Sequence, residues 1–148
     1  VVNTAGLLIK KPIDRLSMEE LTSLIGVNYT GAVNVAIAAK PYLLETSGML
    51  MNFTSSSYTR GRAFYAVYSS TNAAIVNFTQ ALAEEWSNEG IRVTCINPER
   101  TATPMRTANF GIEPAGLLLS AQEVALASLK VLGTQNTGII VDDRKGGR

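Results

Sequence analysis

Tyr68 lies thirteen residues after Ser55 and four before Asn72, and this is where the sequence could do chemistry. Residues four apart share a helix face, so the Tyr68 phenol and the Asn72 amide would look the same way. Ser55 belongs to a hydroxyl run, Thr54-Ser55-Ser56-Ser57, that follows the mostly apolar Met49-Leu50-Met51-Asn52-Phe53. The chain has no His, which excludes histidine bases, Ser–His and Cys–His nucleophile pairs and histidine metal sites. Its single Cys, Cys95, can form neither a thiolate zinc site nor an internal disulfide, which suits a cytoplasmic protein. Acid–base work near pH 7 falls to Tyr, Lys or a carboxylate, and no metal is expected.

Two further segments are rich in polar and turn-forming residues: Asn3-Thr4-Ala5-Gly6, and Asn97-Pro98-Glu99. Taken singly, each is an ordinary turn. Three such segments, each closing an apolar β-type run, point to a shared ligand edge.

The frame that would position them is an alternation of elements. Val1-Val2 reads as the end of a strand, an abrupt opening that suggests a fragment. Ser17-Met18-Glu19-Glu20 is a capping box, and Leu21, Leu24, Ile25 and Asn28 follow at helical spacing. Gly31 marks a join to a second helical run from Ala32 to about Glu45. Strands are expected near 1–3, 48–54, 91–96 and 138–141. A long helix runs from about Phe64 to Ser87, an irregular stretch covers 99–119, and Ser120-x-x-Glu123 opens a last helix to about Leu132. Strands alternating with helices require right-handed crossovers, so the fold class is α/β: a doubly wound parallel sheet with helices on both faces. In such sheets ligands bind at the carboxyl ends of the strands.

At 148 residues, 46% apolar and 17% charged, the chain is one globular domain with ample core. A net charge of +1 offers nothing to nucleic acid or an anionic membrane, so a small-molecule substrate is the expected partner. No apolar run approaches the ~20 residues of a bilayer span. No Gly-x-Gly occurs, and Gly26 and Gly31, at Walker spacing, are followed by Ala32-Val33 rather than Lys-Ser/Thr.

In order and spacing, these motifs resemble the short-chain dehydrogenases/reductases. That family carries Asn-Asn-Ala-Gly after its fourth strand, an Asn in the next helix, a Ser after the fifth strand, Tyr-x-x-x-Lys, and Pro-Gly-x-x-x-Thr after the sixth. This chain has Asn3-Thr4-Ala5-Gly6, Val27-Asn28, Ser55, Tyr68-x-x-x-Asn72 and Pro98-Glu99-Arg100-Thr101-Ala102-Thr103. The resemblance implies a Rossmann-type fold in which residues 1–148 form a partial domain, from the family's fourth strand to its seventh. It implies an NAD(P)-dependent oxidoreductase, with NADP or NAD as cofactor. Tyr68 takes the place of the catalytic acid/base, Ser55 of its partner on the substrate oxygen, and Asn28 of the residue whose main chain holds a relay water. Asn3, Ala5 and Gly6 match the motif beside the adenosine half of the cofactor. Pro98, Thr101 and Thr103 match the loop at nicotinamide and pyrophosphate.

Three departures stand out. Asn72 replaces the family's Lys, whose ammonium would bring the phenol down from a pKa near 10. The family's glycine-rich first part, with its helix N-terminus at the pyrophosphate, has no counterpart here. Thr4 stands for Asn and Glu99 for Gly. From these, the chain alone is expected to be inactive.

Arg60, Arg62, Arg100 and Arg106 follow strand ends on the site's rim. They read either as ordinary surface arginines or as a site for a phosphorylated substrate or the cofactor phosphate. The run Asn97 to Arg106 resembles the reductase part of bacterial two-domain enzymes that make CDP-ribitol. In that branch NADPH reduces ribulose 5-phosphate, a sugar phosphate, and a cytidylyltransferase is fused to the reductase. The alternative is a non-catalytic relic or scaffold of the fold, which Asn72 favours. Family members pair through the two long helices. Ala36, Ala38 and Ala39 on one, and Ala73, Ala74 and Ala81 on the other, would permit a homo-oligomer.

Overall fold

The structure is a computed structural model that describes residues 1–145. Four parallel strands form one sheet in sequence order: β1 (Val2–Asn3), β2 (Met49–Phe53), β3 (Arg92–Pro98) and β4 (Ile140–Asp143). Leu50, Met51, Val93, Cys95 and Ile96 are wholly buried, as expected of central parallel strands covered on both faces.

Helices do cover both faces. Leu50 and Val93 pack under Ala36, Ala39 and Leu43 of helix α2 (Gly31–Thr46), under Leu82 and Ala83 of α3 (Ala66–Glu85), and under Trp86 just after it. On the opposite face Met49, Met51 and Ile96 meet Val131. That residue belongs to α5 (Ala121–Leu132), opened by the Ser120–Glu123 capping box.

Helix α1 (Met18–Ile25) starts at the Ser17 capping box: the Glu20 amide donates to Ser17 Oγ at 3.1 Å, and the Ser17 amide to Glu20 Oε2 at 2.9 Å. It does not stop at Gly31. A π turn, Gly26–Thr30, joins it to α2 in one helical run, Met18–Thr46. The run is 29 residues, long and apolar enough by length and composition to cross a membrane, which corrects the expectation that no such run exists. Its buried stripe, Leu24, Asn28, Ala32, Ala36, Ala39 and Leu43, includes a polar residue and faces the protein interior.

Two other expectations change. The stretch 99–119 is not wholly irregular. Thr103 caps a short helix α4 (Pro104–Phe110) by accepting from the Arg106 amide, and Pro104 sits in its first turn, where a missing N–H costs nothing. Ala36 and Ala39 are spent on the core, so neither lies at a helix surface open to a partner. Ala38, Ala73 and Ala81 remain exposed.

Candidate active site

The site's inner wall comes from the end of β2 and the first turns of α3. The chain leaves β2 at Thr54, whose hydroxyl lies 3.0 Å from the Asn72 carbonyl and 3.2 Å from its amide oxygen. Asn72 Nδ2 donates to the Tyr68 carbonyl at 2.8 Å. The amide that replaces an ammonium is thus folded back on its own helix and 7% exposed. Ser55 caps a 3-10 turn, Ser56–Tyr58, and the buried Ser57 donates to it at 3.3 Å from its hydroxyl and 3.4 Å from its amide.

Asn28 ties this wall to the loop after β1. Its Oδ1 accepts from the Leu7 amide at 2.7 Å, and its Nδ2 donates to the Leu7 carbonyl at 2.9 Å and to Thr71 Oγ1 at 3.2 Å. Thr71 in turn donates to the Tyr68 carbonyl at 2.9 Å. The π turn is centred on Asn28. Such a turn shifts the helical hydrogen-bond ladder locally and recurs at functional sites.

These residues open on a cleft of about 680 Å³ at the carboxyl ends of β1, β2 and β3. Asn28, Ser55, Tyr68 and Asn72 line it together, as do Ala5, Gly6, Pro98, Thr101, Thr103, Arg62, Arg100 and Arg106. Asn3 and Arg60 do not. Asn3 bonds Asn52 Oδ1 at 3.4 Å and the Ala5 amide at 3.3 Å, which leaves it supporting the loop. Arg60 is exposed on the loop after the 3-10 turn. Thr101 forms a parallel bridge with Leu119. The bridge uses the Arg100 carbonyl and the Ala102 amide and leaves the Thr101 N–H and C=O out of it.

Helix α4 covers the outer side. The Phe110 ring stands edge-on to Tyr65, centroids 5.9 Å apart, and Tyr65 stands edge-on to Tyr68 at 6.2 Å. Arg106 lies over Phe110 at 4.6 Å and pairs with Glu113, Nε to Oε2 at 2.6 Å and Nη2 to Oε1 at 2.9 Å. Tyr65, Phe110 and Glu113 are cleft residues that sequence reasoning missed. Tyr65 had a signal, since it stands one turn before Tyr68. The other two fell in the stretch read as irregular.

Burial pushes the Tyr68 phenol above its ordinary value near 10, Ser55 and Asn72 oppose this by hydrogen bonding, and Tyr65 adds to the rise. Burial likewise pushes the Cys95 thiol up to about 12, against a hydrogen bond with Thr79, which makes it inert. The Arg106 guanidinium holds the Glu113 carboxyl below its usual range.

The chain is similar to known proteins in sequence and in fold. A Haemophilus influenzae protein, a bifunctional ribulose 5-phosphate reductase/CDP-ribitol pyrophosphorylase, is 57% identical over 96% of this chain. A short chain dehydrogenase from Salmonella enterica serovar Typhi superposes with a TM-score of 0.90 at 29% identity over 98% of the chain. A Brucella melitensis 3-ketoacyl-(acyl-carrier-protein) reductase, solved with NADH, superposes at 0.86 with 27% identity over 95%. The chain spans 30% of the Haemophilus protein, and 62% and 63% of the two solved chains. The family profile described as short chain dehydrogenase matches residues 1–111. With its parallel sheet and the Ser55–Tyr68 wall at the strand ends, the chain belongs to the short chain dehydrogenase family.

Proposed function

We propose that this chain is the catalytic part of an NAD(P)-dependent reductase acting on ribulose 5-phosphate to give ribitol 5-phosphate. The observation that carries the reading is the meeting of Ser55, Tyr68, Asn72 and Asn28 at one cleft. The identity with the Haemophilus enzyme supports the substrate. When bound, the nicotinamide supplies a hydride to the carbonyl carbon. Tyr68 gives its phenolic proton to the carbonyl oxygen, and Ser55 orients that oxygen.

The residues present fit the nicotinamide end of such a cofactor. The Thr101 amide and carbonyl, left out of the Leu119 bridge, would hold a carboxamide, and Thr103 and Pro98 would flank it. Ala5 and Gly6 stand at the other end, at the mouth of β1. NADPH follows from the branch the chain resembles, and so does a cytoplasmic setting. A fused cytidylyltransferase domain goes with the same reading, as the bifunctional Haemophilus relative supports. Exposed Ile37, Tyr42 and Leu44 on α2 would supply the apolar surface of a homo-oligomer.

A second reading, a fold kept without catalysis, is favoured by Asn72, an uncharged amide that donates to the Tyr68 carbonyl of its own helix. NADPH oxidation by the full-length protein with ribulose 5-phosphate separates the two. Tyr68→Phe removes only the hydroxyl and is expected to lower turnover by about 10²–10⁴-fold, the usual loss of a general acid. Turnover absent in the parent would favour the second reading, and turnover unchanged in the variant would take the proton transfer away from Tyr68.

A further inference from the structure

We propose that Arg106 reads the phosphoryl group of the substrate, and that Glu113 and Phe110 are positioning residues that fix its guanidinium. This rests on the reading of the cleft as a sugar-phosphate reductase site, and names the group that confers the specificity.

Four arginines on the rim invite a phosphate, and the geometry separates them. Arg60 is outside the cleft. Arg62 and Arg100 line it but are exposed and make no ion pair among the described residues. A mobile exposed guanidinium loses side-chain entropy on binding and gives little selectivity. Arg106 alone is fixed beforehand. Its Nε and Nη2 are held by both oxygens of Glu113, and its plane lies 4.6 Å from the Phe110 centroid. Only a fifth of each side chain of the Arg106–Glu113 pair is exposed.

Among the described residues, that grip leaves the Nη1 end of the fork without a hydrogen bond. Arg106 lines the cleft, and so does Glu113, with Tyr65 between Phe110 and the Tyr68 phenol. A guanidinium bound along one edge by a carboxylate keeps donors for a phosphate oxygen, in the planar geometry that such oxygens favour. The Glu113 charge also has a consequence for selectivity. It cancels the attraction of Arg106 for anions in general, so an anion gains most from directed hydrogen bonds.

The test uses the full-length protein with NADPH and two substrates, ribulose 5-phosphate and unphosphorylated ribulose. Arg106→Gln is expected to raise KM for ribulose 5-phosphate by about tenfold to a hundredfold, the worth of charge-assisted hydrogen bonds. Its kcat/KM for ribulose should stay within about threefold of the parent's. Arg106→Lys keeps the charge and loses the fork, so it should recover only part of the KM. Glu113→Gln should raise the same KM by about fivefold and leave ribulose unaffected. Equal losses on both substrates, or full recovery with Lys, would overturn the proposal. If the parent reduces neither sugar, the reductase reading fails by itself. Calorimetric titration with ribulose 5-phosphate then decides this one: binding weakened in Arg106→Gln upholds the assignment, and binding that is absent or unchanged overturns it.

Discussion

The two sides of the cleft are held by different physics. On the inner side Thr54, Asn72, Thr71 and Asn28 form a chain of neutral hydrogen bonds between buried groups, on a strand and a helix that carry the core. On the outer side α4 is held by an ion pair, cation–π contacts from Lys10 and Arg106 to Phe110, and the bridge between Thr101 and Leu119. Buried neutral bonds hardly respond to salt, whereas the Arg106–Glu113 pair, with a fifth of each side chain exposed, is open to screening. Ser55 and Tyr68 therefore stand on a side that salt hardly touches, and Arg106 on a side that it reaches.

The contrast is sharpest in stability, where we expect the largest effect from Asn28→Ala. The substitution removes three hydrogen bonds and leaves the Leu7 amide and carbonyl without their partners. An unsatisfied buried group costs about 1–3 kcal/mol, so a loss of about 3 kcal/mol in urea unfolding is expected. On the other side, Glu113→Gln should cost under about 1 kcal/mol, as for a partly exposed ion pair. Losses of equal size would break the distinction between the two sides.

Next in size is the charge missing from the inner side. Asn72→Lys in the full-length protein would place an ammonium one helical turn from Tyr68. Burial holds the phenol above its ordinary value, and the new charge favours the phenolate and lowers it. In carbonyl reduction the protonated phenol is the active form, so activity falls as pH rises through its pKa. A lower pKa moves that basic limb to lower pH. Turnover near pH 7 should rise by about tenfold or more, equivalent to about 1.4 kcal/mol, because a general acid works best with a pKa near the working pH. An unmoved limb in the pH–rate profile would show that Asn72 already supplies what the reaction needs.

The inner side was legible in the sequence, and the reason is local. Tyr68 and Asn72 obey a helix period, so spacing puts them on one face, and the resemblance adds Ser55 at the end of an apolar strand. What escaped depends on partners distant in the chain. The π turn at Asn28 gives no signal in Gly26-Val27-Asn28-Tyr29-Thr30, because its side chain is anchored to Leu7 and Thr71. The Ala-rich α2 hides which alanines face the core, since small residues fit either side. In 99–119 the helix signals were present, Thr103 as cap and Pro104 in the first turn. Reading 99–119 as irregular concealed them, and with them the pairing of Arg106 and Glu113.

The smallest expected effect tests whether α4 is a separate unit from the inner side. Thr103 Oγ1 accepts from the Arg106 amide at 3.2 Å and is the side-chain cap of this seven-residue helix. Helices this short have little stability of their own, so losing the cap should be felt there first. Thr103→Ala is expected to cost about 1 kcal/mol locally, which is about a fivefold faster hydrogen exchange at the Arg106 amide. Exchange at amides of β2 and β3, which open only with the whole fold, should not change. A segment that opens by itself exchanges independently of the core, whereas one integral to it lowers the protection of both together. Equal acceleration at β3 would show that α4 and the sheet unfold as one, and that the outer side is not a separate unit.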